Sequence, residues 1–334
     1  MRQWRRLLAV LLCGALTACG SGSGDDKDTL IVYGAPHGEL LSAMVDKFTE
    51  QTGIKVKIRP GADSELANQI VQEGKASPAD VFMTENSPAM GLVAGKGLFA
   101  RVEDPTVAQV PAGFVPSNHS WIGYAARSTV LVRNTTALPQ NQLPKSILDL
   151  AQPPWQGRFG IAPSGADFQA IVSAVLALKG TAATQQWLDG LKRNAKIYTN
   201  NIAILKAVNS GEVPAGISYH YYWYKDRASG GTGSANAELH FFGHADPGAF
   251  LSVSGAGVLA SSTKQAQAQR FLAFLTSRTG QQVLADSKAM EYPVADGVSN
   301  PQLKPMSELD PPKVDPATLN GPEVIQLMQK AGLL

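Results

Sequence analysis

Half of the chain's eight tyrosines fall within Tyr219-His220-Tyr221-Tyr222-Trp223-Tyr224. Two readings of this cluster stand side by side. It is an aromatic packing segment, since aromatic rings dominate cores, or it presents phenols to a ligand. On a strand, adjacent side chains point to opposite faces and cannot share a ligand. At a strand-to-helix junction neighbours are about 100° apart and their hydroxyls can converge. Ala215 to Tyr219 reads as a strand, and Tyr222 to Lys225 can open a helix, which places Tyr221 and Tyr222 at a cleft rim. Two phenolates suit a small, hard, trivalent cation such as Fe(III), because a phenol near pKa 10 ionises at neutral pH only beside a strong cation. Zinc favours His and Cys, and calcium favours carboxylates and carbonyls.

Further candidates lie at strand ends. His37 follows the strand Thr29 to Tyr33, and Glu85 follows the strand Ala79 to Met83. Each taken singly is a solvated loop residue; their matched positions at carboxyl ends of parallel strands suit a cleft. The loop Ser164-Gly165-Ala166 precedes an apolar helix and is either an anion site or a plain helix cap. Asn201, at the start of another helix, is a similar candidate.

The elements that must position these residues read as α/β. A helix over Glu39 to Thr52 has Leu40, Leu41, Met44, Val45 and Phe48 on one face and Gly53 as its stop. Ile54, Val56 and Ile58 alternate as a strand, and Ser64 is a plausible N-cap for a helix to Glu73. The succession β-α-β-α-β implies a parallel sheet with covering helices. The pattern restarts near residue 128: strands over Thr129 to Val132, Phe159 to Ala162 and Ala215 to Tyr219, and helices over Pro144 to Leu150, Phe168 to Leu178, Trp187 to Leu191 and Ile202 to Val208. Val258-Leu259 and a helix around Phe271 to Leu275 follow.

Arg2, Arg5 and Arg6 precede the apolar run Leu7 to Ala18, which is too short to span a bilayer as a mature helix. Leu16-Thr17-Ala18-Cys19 matches a lipobox, so residues 1–18 read as a lipoprotein signal peptide and Cys19 as the lipidation site. Residues 19–28 are a Gly/Ser/Asp tether. Without residues 1–18, 26 basic side chains face 27 acidic ones, which excludes a basic field for nucleic acid. Both cysteines, Cys13 and Cys19, lie in the signal, so any metal site uses oxygen and nitrogen. No nucleophile-base set, GxSxG, HExxH or P-loop marks an enzyme.

LIVYGAPH (30–37), SELANQI (64–70), SPADVFMTE (77–85), LPKSILDLA (143–151), GIAPSGADFQA (160–170), HYYWYK (220–225), DPGAFLSVSGAGVL (246–259) and EYPV (291–294) stand in order along the chain. With them, nearly everything after the tether resembles the ferric-iron-binding proteins of bacterial ABC importers. The resemblance implies a type II periplasmic-binding-protein fold: two α/β lobes, each a mainly parallel sheet flanked by helices, joined by two hinge crossings. On this division lobe 1 is 29–128 and 253–303, and lobe 2 is 129–252 and 304–334. It implies Fe(III) held by His37, Glu85, Tyr221 and Tyr222. It also implies a synergistic anion, phosphate or carbonate, resting on Ser164, Gly165, Ala166 and Asn201. Asn86 stands where a Gln is common, and Tyr219 where an Asn helps hold the anion. The expected protein is a monomer, anchored outside the cytoplasm by its lipid alone, that delivers iron to an ABC permease and ATPase. A small organic or phosphorylated solute, such as thiamine or a phosphonate, is the alternative cargo, since one fold serves many ligands.

Overall fold

The computed structural model describes residues 28–34 and 37–334. Cys19, the signal over 1–18 and all of the tether but Asp28 lie outside the described residues.

The chain opens with β1 (Leu30–Gly34), α1 (Gly38–Thr52), β2 (Val56–Pro60), α2 (Asp63–Glu73) and β3 (Val81–Met83). The five apolar residues expected on one face of α1 are its buried set. Its helix ends where Gly53 turns left-handed at φ 70 and returns its N–H to Thr49. Both β2 and β3 pair parallel with β1, so β1 lies between them and the ends of β1 and β3 are neighbours, Gly34 beside Met83.

After α3 (Ser87–Gly95) and α4 (Asp104–Val107) comes β4 (Ile122–Asn134), thirteen residues long and buried throughout. Then follow β5 (Phe159–Ile161), α5 (Ala166–Asn194), β6 (Ala195–Ile197), α6 (Asn201–Ser210), β7 (Ala215–Tyr219), α7 (His220–Ala228) and β8 (Ala237–His240). The chain closes with β9 (Leu251–Val258), α8 (Gln265–Thr276), α9 (Arg278–Asp286), β10 (Tyr292–Pro293) and α10 (Gly321–Lys330).

Strand β4 serves two half-sheets. Its residues Ile122 to Ser128 pair antiparallel with β9, which pairs in turn with β3. From Thr129 it pairs instead with β7, and from Leu131 also with β8. The resulting order is β2-β1-β3-β9-β4-β7-β5-β6. The strand expected to start at Thr129 therefore begins at Ile122 and runs through the junction. Arg127, Ser128 and Thr129 interrupt the apolar pattern in sequence, yet all three are buried.

Three local expectations change. Ser64 does not cap α2; the helix begins at Asp63, and its N-cap Ala62 has no side-chain bond. Asn200 caps α6, accepting from the Ala203 N–H at 2.9 Å, so Asn201 is its first helical residue. The helices expected over Phe168 to Leu178 and Trp187 to Leu191 join as α5, kinked at Gly180 (φ 78). A glycine meets that left-handed backbone without the Cβ clash other residues would suffer. Among the described residues no helix is long and apolar enough to cross a membrane.

Candidate metal centre

The pairing of β1 with β3 brings His37 and Glu85 together, as each lies just beyond its strand. His37 Nδ1 stands 3.5 Å from Glu85 Oε1. Glu85 is held from behind by Asp63, whose Oδ1 accepts the Glu85 N–H at 3.0 Å and whose Oδ2 accepts the Asn86 N–H at 2.8 Å. Burial pushes the Asp63 carboxyl up to about 7. It likewise lifts Glu85 above the usual carboxylate range, against the opposing charge of Arg127. His37 is pushed the other way, towards the neutral imidazole that a metal needs.

The tyrosines arrive from the other half-sheet. Helix α7 opens at His220, two residues earlier than expected, directly after β7. The Tyr221 and Tyr222 rings stack at 4.1 Å between centroids, and their hydroxyls converge. Tyr221 also meets the His37 ring edge-on at 5.4 Å, so residues of the two half-sheets touch across the site. His220 points away: it accepts the Ser128 N–H at 3.1 Å and stacks on Tyr292 at 4.6 Å. Burial holds it neutral, with a pKa of about 3.

Four residues at the centre were not singled out by the sequence: Asp63, Arg127, Asp167 and Glu291. Asp167, at the start of α5, is the hub. Its Oδ2 accepts from Tyr222 Oη at 2.9 Å, Tyr221 Oη at 3.2 Å and Asn201 Nδ2 at 2.9 Å. Its Oδ1 accepts from Asn86 Nδ2 at 3.2 Å. Burial and the Asp167 charge both raise the two phenols above their ordinary pKa, so they stay protonated and donate. Arg127 is fully buried and lies 3.6 to 3.7 Å from Asp167, Glu85 and Glu291. Asp167 and Glu291 lie inside the SGAD and EYPV runs; an acidic residue in a first helical turn reads only as a dipole partner.

Around the expected anion loop, Ser164 and Ala166 are exposed, and the Gly165 N–H is committed to Ala162 O at 3.1 Å. Tyr219 is buried beside Tyr221, with ring centroids 6.4 Å apart. Among the described residues no group of three or more His, Cys, Asp or Glu side chains is placed to hold a metal ion by itself. A cavity of about 790 Å³, lined by His37, Glu39, Lys225, Asp286 and Lys288 among others, opens onto the His37 side.

Comparison with known proteins decides the family. Residues 43–311 match the model of the bacterial extracellular solute-binding proteins. This chain belongs to that family. The solute-binding protein is 52% identical to the Fe(3+)-binding periplasmic protein of Serratia marcescens, over 98% of this chain and 97% of that one. It is 38% identical to the major ferric iron-binding protein of Neisseria meningitidis serogroup A, over 97% of each. Iron-bound HitA from Pseudomonas aeruginosa superposes with a TM-score of 0.84 at 44% identity, covering 91% of this chain and 99% of HitA. The fold is thus the two-lobed type II periplasmic-binding-protein fold, as the resemblance implied. The protein is an extracytoplasmic binding component of ABC import rather than an enzyme.

Proposed function

We propose that this solute-binding protein captures Fe(III) between its lobes through His37, Glu85, Tyr221 and Tyr222. The observation that carries the reading is the convergence of a neutral imidazole, a carboxylate and two stacked phenols from opposite half-sheets. The similarity to ferric iron-binding relatives supports it. Lobe 1, 29–128 with 253–303, supplies the imidazole and carboxylate; lobe 2, 129–252 with 304–334, supplies the phenols. The loaded protein acts as a monomer, tethered by lipid on Cys19, and hands iron to a membrane permease and its ATPase.

Asp167 takes the part of the synergistic anion. Its Oδ2 already receives both phenol hydroxyls and Asn201, where the resemblance places an external phosphate or carbonate on Ser164, Gly165, Ala166 and Asn201. The charges support this. Glu85, Asp167, Glu291 and two phenolates carry five negative charges, to which Asp63, with a pKa of about 7, adds in part; Fe(III), Arg127 and the nearby Lys225 carry five positive ones, so negative charge is already fully matched. An added anion would unbalance a buried site, where unpaired charge is costly.

The test is optical. Lipid-free protein, loaded from ferric nitrilotriacetate and dialysed into buffer without phosphate or carbonate, develops a broad visible phenolate-to-iron band and a red-orange colour. Tyr221→Phe and Tyr222→Phe each weaken it, and Asp167→Ala makes it depend on added phosphate. A colourless loaded protein would sink the iron assignment. A band that needs phosphate in the unsubstituted chain would return the anion role to the Ser164–Ala166 loop.

A further inference from the structure

Resting on the iron reading, we infer that His220 is the positioning residue for Tyr221 and Tyr222: its ring closes the end of the β4–β7 ladder and so fixes the angle at which α7 presents both phenols. The ladder's last pair is Thr129 with Tyr219, and the register extended by one sets His220 opposite Ser128. There the chain leaves β7 and enters α7, so no strand carbonyl is left to receive the next N–H of β4. The Thr129 N–H goes to Phe250 O, on the opposite edge of β4, at 3.1 Å. Backbone N–H groups alternate along a strand, so the Ser128 N–H faces the β7 side. His220 Nδ1 accepts it at 3.1 Å and takes the place of the missing carbonyl. Ser128 is buried, and a buried backbone N–H left unpaired is costly.

The usual device for fixing such a junction is missing. Tyr219, the N-cap of α7, makes no side-chain bond to the helix start. His220 Nε2 has no hydrogen-bond partner among the described residues, so Nδ1 is the ring's polar anchor. Packing supplies the rest. Tyr292 stacks on the imidazole at 4.6 Å, and Tyr224 and Tyr221 meet it edge-on at 5.9 and 6.2 Å. Tyr292 lies on β10, which pairs with Ala125 and Ala126 in the stretch of β4 that also pairs with β9. His220 therefore ties the helix of the phenols to the shared strand and to a ring of the opposite half-sheet. Tyr221 and Tyr222 follow it directly in the chain, so a backbone turn at 220 swings both hydroxyls. A metal site tolerates only about 0.5 Å of misplacement.

Two substitutions separate the hydrogen bond from the packing. His220→Phe keeps a ring against Tyr292 and removes the acceptor. His220→Asn keeps an acceptor, Oδ1, as far along the side chain as Nδ1. Iron affinity is measured against a competing chelator, together with visible absorbance per bound iron and the melting midpoint of the iron-free protein. His220→Phe weakens iron about 10- to 100-fold and lowers the absorbance per bound iron, and His220→Asn recovers most of both. A lower melting midpoint alone, with affinity and absorbance per iron unchanged, would make His220 merely structural and overturn the inference. So would a His220→Asn variant no better than His220→Phe. NMR of the iron-free, unsubstituted protein gives a readout needing no variant: the Ser128 amide nitrogen couples to His220 Nδ1 across the hydrogen bond, and an Nδ1 that carries its own proton defeats the proposal. A colourless unsubstituted protein in which that coupling is present refutes the iron reading and, with it, the metal part of this one.

Discussion

On the proposed reading, phenol ionisation is the expensive step at this site. Tyr221 and Tyr222 are held protonated by burial and by the charge of Asp167, and only a trivalent cation repays the loss of both protons. His37, shifted towards its neutral form, has no proton to give up. Iron loading therefore releases about two protons per metal, and apparent affinity falls as pH falls, by up to about 100-fold per pH unit. Glu85, shifted upward, begins to take up its proton above the ordinary carboxylate range and adds to release in acid. A loading titration in weakly buffered solution checks the count, and Tyr222→Phe lowers it to about one. Unchanged proton release in that variant would remove Tyr222 from the ligand set.

At the scale of elements, β4 decides the site. It places Arg127 at the point where the strand leaves β9 for β7, among Glu85, Asp167 and Glu291. Arg127→Leu would strand three buried carboxylates without their cation. Losing one partner of a buried pair costs about 3–5 kcal/mol, and in a chain of this size each kcal/mol lowers the melting midpoint by roughly 1.5–2 °C. Thermal unfolding of the iron-free variant measures the drop, and a midpoint within a degree of the unsubstituted protein contradicts the electrostatic role. The elements themselves were legible wherever periodicity was clean, as in α1 and in the β1-α1-β2-α2-β3 succession. They were misread where tertiary context overrides it. Arg127, Ser128 and Thr129 look like a break because polar residues usually mark solvent, and here they lie inside.

For the whole molecule, β4 is the strand shared by the two half-sheets, and α10 packs on α5 while also touching α3. The contacts Asn86–Asp167 and His37–Tyr221 join the halves across the centre. A ligand bound from both sides favours the closed state by its differential affinity. The radius of gyration in solution scattering accordingly falls on iron loading and stays at the iron-free value in the double Tyr221→Phe, Tyr222→Phe variant. Equal radii with and without iron would show that capture needs no closure.

The sequence by itself pointed to the candidate donors and to half of their placement. His37 and Glu85 were readable because a parallel β-α-β run puts successive strand ends at one edge, and Tyr221 and Tyr222 because a strand-to-helix junction lets adjacent rings converge. Only the tertiary structure decided what surrounds them. Arg127, Asp167 and Glu291 come from β4, the start of α5 and the approach to β10, segments that sequence spacing does not relate. They meet because β4 pairs with β9 and β10 over one half and with β7 over the other. Buried charge is tolerated only where opposite charge lies within reach, and that balance is a property of the assembled fold.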